Sequence, residues 1–182
     1  MSDPFLDLAD LLDHVWMRLG RAVADRSDPM RLVVLATSGP DGADARTVAL
    51  RRADRAAGEI EVHSDRRTAK IGALEADPRG AILLWDPEVQ LQIRLKADFE
   101  IIHADPLRWD RVPQSARANY GTDPAPGTPL REPGSVRRTP DRSRFAALIG
   151  RIRGIDVVSL AHIPHRRAQF DGPEGPGLWV AP

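Results

Sequence analysis

The sequence predicts a mainly β fold with a few peripheral helices, arranged as a small antiparallel barrel. Three observations predict it: five or six short strand-like runs, turn signals at regular spacing between them, and few segments with helical periodicity. The clearest strand is Leu91 to Ile102, where Leu91, Ile93, Leu95 and Ala97 alternate with Gln92, Arg94, Lys96 and Asp98, the period of a sheet with one wetter face.

The other elements follow in chain order. Phe5, Leu8, Leu11, Leu12, Val15, Trp16 and Leu19 recur at three- and four-residue steps, which predicts an amphipathic helix over 4–19, before Gly20. Arg31 to Ala36 is a β-branched run ended by a strong turn signal over 38–42, and Ala45 to Arg52 completes a hairpin. Gly58 opens a strand over 59–63, a short helix over 68–76 stops at Asp77-Pro78, and Ala81 to Trp85 is joined to the 91–102 strand by a turn at Asp86-Pro87. Residues 106–120 are expected to be helical, and 121–144, rich in Pro, Gly, Thr and Arg, to form a long loop with little to bury. Phe145 to Ile152 is expected as a short helix, with strands over 155–161 and 178–181. With no internal repeat, one domain over 1–182 is the expectation.

Composition excludes several function classes. Lys+Arg and Asp+Glu each total 26, so no global basic field exists to attract nucleic acid or an anionic membrane. There is no cysteine, which removes disulfides, thiolate metal sites and a cysteine nucleophile, and points to a reducing compartment, the cytoplasm. The first twenty residues are acidic and amphipathic, unlike a secretory leader, and no apolar run is long enough to span a bilayer. His14 and His103 fit packing or surface positions, no His and carboxylates fall at metal-ligand spacing, and no nucleophile elbow accompanies the Ser, His and Asp inventory, so neither a metal nor acyl-enzyme chemistry is assigned.

Three segments place cations and hydroxyls on strands or strand ends: Arg46 to Arg51, His63 to Lys70, and the neighbourhood of Gln92. Arg46, Arg51, Arg67 and Lys70 fit two readings. They are ordinary solvated charges in a chain in which 29% of residues are charged, or they converge on a phosphate, which needs preset guanidinium, ammonium and hydroxyl donors.

The order of the segments bears on that choice. Arg46-Thr-Val-Ala-Leu-Arg51, then Glu61 to Asp65, Arg67-Thr-Ala-Lys70, Asp77-Pro78, Trp85 and Gln92 to Ala97 together resemble the pyridoxamine 5'-phosphate oxidase family of FMN-binding split barrels, over roughly Arg31 to Ile102. The resemblance implies one FMN per site at the interface of a homodimer. It implies that Arg46 and Lys70 contact the FMN phosphate, that Thr47, Val48 and the backbone on to Leu50 run along the isoalloxazine, and that Arg51 lies toward the substrate. His63 and Ser64 match a pair lining the flavin, with His in place of the usual tyrosine. Arg67 and Thr68 fall at the family's Ser-Arg-Lys trio, which here reads Thr68-Ala69-Lys70, so that Arg67 substitutes for the missing arginine. Gln92 matches a glutamine that reaches the flavin from the partner subunit. Near the C-terminus, His165 and Arg166 keep part of a substrate motif, whereas Gln169 and Leu160 replace a flavin arginine and a tryptophan. The implied function is an FMN-dependent oxidoreductase that transfers hydride from a small-molecule substrate to flavin. The alternative is a non-catalytic FMN-binding or storage protein.

Overall fold

The structure, a computed structural model, describes residues 3–40 and 42–182; Asp41 of the 38–42 turn signal lies outside the described residues. A turn of 3-10 helix, Pro4–Leu6, precedes α1 (Leu8–Ala24). Asp7 caps α1, its carboxylate accepting from the backbone N–H groups of Ala9 and Asp10 at 2.7 and 3.1 Å, which satisfies two of the donors a helix leaves free. The helix continues past Gly20, where the sequence predicts its end, because Ala22 is fully buried in the core and packing outweighs the weak helix propensity of one glycine.

The strands are β1 (Leu32–Gly39), β2 (Gly42–Asp54), β3 (Glu59–Asp65), β4 (Arg79–Asp86) and β5 (Leu91–His103), with α2 (Ala69–Ala76) between β3 and β4. After β5 come α3 (Pro106–Arg111), α4 (Gln114–Arg117), the two-residue strands β6 (Thr122–Asp123) and β7 (Arg137–Arg138), then β8 (Phe145–Ser159), β9 (Arg166–Asp171) and β10 (Gly177–Val180). The main sheet is antiparallel with order β10-β9-β8-β3-β2-β1-β4-β5, and β5 also pairs with β8. Six strands thus close into a barrel.

The 15-residue β8 is the element that both closes and splits it. One edge of β8 pairs with β5 along nearly its whole length. The other edge is shared: residues 145–151 pair with β3 and residues 154–159 with β9. A register shift against β5 places Arg153 between the two halves, the added residue of a bulge that bends the strand.

Here one expectation is corrected and another, that 106–120 is helical, is met in separate pieces. Residues 145–152 are strand, not helix. Ala146, Leu148 and Ile152 face the barrel core, while Phe145, Ala147 and Ile149 join a second small core with Trp109, Val112 and Tyr120. A strand buried on both faces shows a continuous apolar run instead of alternation, and periodicity cannot separate it from a buried helix. Residues 106–120 are not one helix, because the chain turns extended at Val112 before Pro113, a residue type that disfavours helix in its predecessor. β9 escaped prediction altogether: within it only Ala168 and Phe170 are buried among charged and polar neighbours.

Val33, Leu35, Leu50, Ile60, Val62, Ile82, Leu84, Ile93 and Leu95 are fully buried in the main core, which Leu11, Val15 and Leu19 of α1 join. Each such side chain contributes about 1.5–3 kcal/mol relative to exposure. Phe99 lies over Gly80 and Gly150, where an added Cβ would come within 2.9 and 2.8 Å of its ring. The 121–144 segment is rooted by the β6–β7 pairing and by Gly121, whose missing side chain leaves room for the Thr139 carbonyl. Among the described residues no helix is long and apolar enough to cross a membrane.

Candidate functional site

β2 and β3 pair from Leu50 and Val62 to Asp54 and Glu59. Beyond that stretch a cleft of about 460 Å³ lies between them. Its floor is Thr47 and Val48 of β2 with His63, Ser64 and Asp65 of β3, and Thr68 and Lys70 at the start of α2 close one end. The far wall is Asn119, Tyr120 and the segment from Thr122 to Val136.

Polar groups at the α2 end are tied together. Lys70 Nζ donates to Ser64 Oγ at 3.1 Å, Ser64 Oγ lies 2.9 Å from Thr68 Oγ1, and Thr68 Oγ1 donates to the Asp65 carbonyl at 2.9 Å. Lys70 has no ion-pair partner among the described residues. Burial pushes its ammonium below the ordinary lysine range, and the Arg46 charge pushes the same way against the weaker pull of Asp44 and Asp65. Arg46 is held along β1, donating to the Leu35 carbonyl at 3.2 Å and Thr37 Oγ1 at 2.8 Å while pairing with Asp44. Lys70 thus lines the first cleft beside two hydroxyls and the N-terminus of α2, whereas Arg46 lines a neighbouring pocket with Thr37, Gly39 and Asp44.

Arg67 is differently engaged. It forms a two-pronged pair with Asp65, at 2.9 and 2.6 Å, and donates to the Thr122 carbonyl at 2.8 Å. Arg144 donates to the same carbonyl at 3.0 Å, so two guanidiniums fasten the root of the cleft's far wall.

A second cleft, of about 350 Å³, adjoins the first along His63 and is lined by Arg31, Arg51, Arg52, Arg108 and Arg111, with Glu61 as the acid. Arg52 is committed to Asp54 and Glu59, and Arg31 donates to the Val23 carbonyl at 2.8 Å. Arg51 Nε is buried and has no partner among the described residues. Burial raises the Tyr120 hydroxyl above its ordinary value, and the charge and hydrogen bond of Arg51 oppose it.

The remaining candidate residues lie elsewhere in the chain. Leu50 points into the barrel core. Gln92 sits opposite Trp85 and Val158, on the face of β5 that also carries Arg94. Trp85 is 41% exposed, whereas its neighbour Asp86 is buried and paired with Arg18 at 2.6 Å. Arg166 donates to Asp3 at 2.6 Å and to the Phe5 carbonyl at 3.2 Å, and His165 is exposed just before β9. Gln169 donates to Asp156 at 2.9 Å, beside Arg94 and Arg167 on the same carboxylate. Within one chain, the first cleft therefore gathers Thr47, Val48, His63, Ser64, Thr68 and Lys70, the second takes Arg51, and neither is lined by Arg46, Arg67, Gln92, His165 or Arg166. Asn119, Tyr120, Arg108 and Arg111 received no role from the sequence, since no periodicity or motif brings the chain after β5 against β3.

The family model described as pyridoxamine 5'-phosphate oxidase, FMN-binding domain, matches residues 13–103, half of the chain, from within α1 to the end of β5. The chain belongs to this family. Its FMN-binding domain accounts for the barrel strands β1 to β5 and for the α2 end of the first cleft. Among solved structures, a pyridoxamine 5'-phosphate oxidase-related FMN-binding protein of Nostoc punctiforme superposes with a TM-score of 0.77 at 22% identity, covering 97% of this chain and 100% of that one. PhzG of Burkholderia lata, solved with tetrahydrophenazine-1-carboxylic acid, gives 0.73 at 17% identity, with coverage of 100% and 98%. General stress protein 26 of Bacillus anthracis gives 0.57 at 14%, with 92% and 99%. At these identities the likeness is one of fold, and it extends the pyridoxamine 5'-phosphate oxidase split barrel over the strands after residue 103. No curated protein matches the sequence.

Proposed function

We propose that this protein binds FMN in the first cleft and uses it as an oxidoreductase acting on a small anionic molecule. The observation that carries the reading is Lys70: a half-buried ammonium at the first turn of α2, without an ion-pair partner among the described residues, hydrogen-bonded to the Ser64 hydroxyl and disfavoured by the nearby Arg46 charge. Arg46 is already paired with Asp44, yet its charge and burial still depress the Lys70 ammonium, and a phosphate dianion placed beside Lys70 relieves it. Thr68 and Ser64 add hydroxyl donors, and the helix N-terminus favours negative charge. The donor set therefore fits the phosphate of FMN, with Thr47, Val48 and His63 along the ring.

When bound, FMN supplies the hydride-accepting chemistry. The chain's own residues supply placement. Arg51, with a buried Nε left free, and Arg111 would hold the anionic end of a substrate in the second cleft. The carboxylate-bearing ligand of PhzG is a precedent for that substrate class. A second copy of the chain would bring Gln92 toward the ring: Trp85 at 41% and Leu160 at 40% exposure flank Gln92 and Gln90 on an outer face that suits burial in a dimer. The absence of cysteine accords with the cytoplasm.

One observation favours the alternative, a flavin-binding protein without catalysis. Arg166, expected near substrate, is tied to Asp3, and Gln169, at the position of the family's flavin arginine, is tied to Asp156. The test begins with the visible spectrum of the purified protein and identification of the molecule released on denaturation, which is expected to be FMN. A colourless protein that binds neither FMN nor riboflavin overturns the proposal. Oxygen consumption with NADH, NADPH or an aromatic carboxylate as donor then separates enzyme from binder.

A further inference from the structure

Arg31 and Arg51 border a further space besides the second cleft. This pocket, of about 490 Å³, is lined by Arg26, Arg31 and Arg51, by Asp28, and by Asn119, which also lines the first cleft. Elsewhere the arginines of this chain meet carboxylates: Arg18 pairs with Asp86, Arg52 with Asp54, Arg67 with Asp65 and Arg167 with Asp156. Arg26, Arg31 and Arg51 have no ion-pair partner among the described residues.

The acids nearby are committed to other groups. Asp28, whose side chain is fully buried, accepts from the Met30 N–H at 2.8 Å and lies 3.2 Å from Arg21 Nε and 3.5 Å from Arg18 Nη2. Asp25 accepts from the N–H and the hydroxyl of Ser27 at 2.8 and 2.6 Å. Burial pushes the Arg31 guanidinium below the ordinary arginine range, and the charges of Arg51 and Arg26 push the same way against the smaller pull of Asp25. In a group that stays charged, that direction registers a repulsion among cations that no anion balances.

Ordinary structural duties account for only part of the cluster. Arg31 Nη1 donates to the Val23 and Ala22 carbonyls at 2.8 and 3.4 Å, at the C-terminal end of α1, where a cation is favoured. Arg51 Nε is buried with no partner among the described residues, and a buried donor left alone costs about 1–3 kcal/mol. Asn119 Oδ1 accepts from Arg138, which leaves its amide nitrogen to donate. The helix carbonyls hold Arg31 in place, and a guanidinium set beforehand loses less freedom on binding.

The geometry points to a second anion-binding pocket, in which Arg26, Arg31 and Arg51 hold a phosphate or carboxylate group and the Asn119 amide donates to it. Arg26 and Arg31 take no part in the first cleft, so the inference stands whether or not FMN binds there. Two sources supply such a group. One is a free anion; the other is a second anionic group on a molecule whose first lies in the second cleft, since Arg31 and Arg51 border both spaces.

The test is calorimetric titration of the full-length protein with inorganic pyrophosphate, at an ionic strength held constant with sodium chloride. The unaltered protein and Lys70→Met are both expected to bind it. Arg26→Gln is expected to raise the dissociation constant at least about tenfold, as the loss of a charge-assisted hydrogen bond does. Arg79→Gln removes an equal charge where β4 begins, beside Thr37 at the other end of β1 from Arg31, and is expected to change binding by less than about twofold. Arg26 is exposed, and thermal melts of Arg26→Gln should match those of the unaltered protein. No binding by the unaltered protein, or equal losses in Arg26→Gln and Arg79→Gln, overturns the inference. Binding lost in Lys70→Met but kept in Arg26→Gln also overturns it and puts the anion in the first cleft, so the flavin reading and this one fail separately. Benzoate and para-carboxyphenyl phosphate then distinguish the sources. Weaker binding of the phosphate ester by Arg26→Gln, with benzoate unchanged, assigns the pocket to the far end of a substrate. Loss of pyrophosphate with both aromatic ligands unchanged assigns it to a free anion.

Discussion

Replacing Lys70 by Met keeps the length of the side chain and removes its charge, and its effect on FMN should be opposite in sign to its effect on the empty protein. In the empty protein Lys70 contributes one hydrogen bond, to Ser64 Oγ at 3.1 Å, against the burial and the Arg46 charge that depress its pKa. A lysine whose folded pKa lies below its unfolded value costs stability wherever both states are protonated. That cost is relieved as pH rises through the folded pKa toward the ordinary lysine range. Lys70→Met should therefore melt at the same temperature as the unaltered protein or higher, and should lose this alkaline gain in stability. For FMN the balance reverses. Losing one charge-assisted hydrogen bond to the phosphate costs about 1.5–3 kcal/mol, or roughly 10- to 150-fold in dissociation constant. Riboflavin, which lacks the phosphate, should change by less than about twofold on the same scale. Because a bound phosphate raises the Lys70 pKa, the preference of the unaltered protein for FMN over riboflavin should also fall as pH rises through the pKa of the empty site. Flavin fluorescence titrations with both ligands from neutral to alkaline pH, together with thermal melts, measure all three effects. Equal losses for FMN and riboflavin, or a marked drop in the melting temperature of the empty protein, would refute the placement of the phosphate at Lys70.

Two further predictions concern the core and the proposed dimer. Gly150→Ala would put a methyl group 2.8 Å from the Phe99 ring, and overpacking of this kind costs about 1–3 kcal/mol. Chemical denaturation should show that loss, and Phe99→Leu in the same chain should recover part of it; an unchanged midpoint would mean the ring has room to move. Light scattering should give twice the 20.0 kDa of the chain, with an interface above about 2,000 Å² in total, as obligate dimers have. Trp85→Glu should dissociate the dimer and weaken FMN together, and a monomer that binds FMN fully would remove Gln92 from the site.

Alternation in Leu91 to Ile102, the turn signals and the short helix stopped by Asp77-Pro78 made the barrel class readable from residues alone, because each is a local consequence of a half-buried strand or a helix end. The ordered series from Arg46 to Gln92 made the family readable for a similar reason, since one stretch of chain carries it. What escaped was set by partners distant in sequence. β8 gives no alternation because α3 covers its second face, and β9 is a strand only because β8 offers it an edge beyond β3. Arg67, from the turn after β3, and Arg144, from the far end of the proline-rich segment, meet at the Thr122 carbonyl, and His63 Nδ1 has no partner among the described residues once Nε2 has met Glu61. A sequence determines which side chains can donate, accept or be buried; which of those capacities is left over for a ligand depends on what the tertiary structure has already paired.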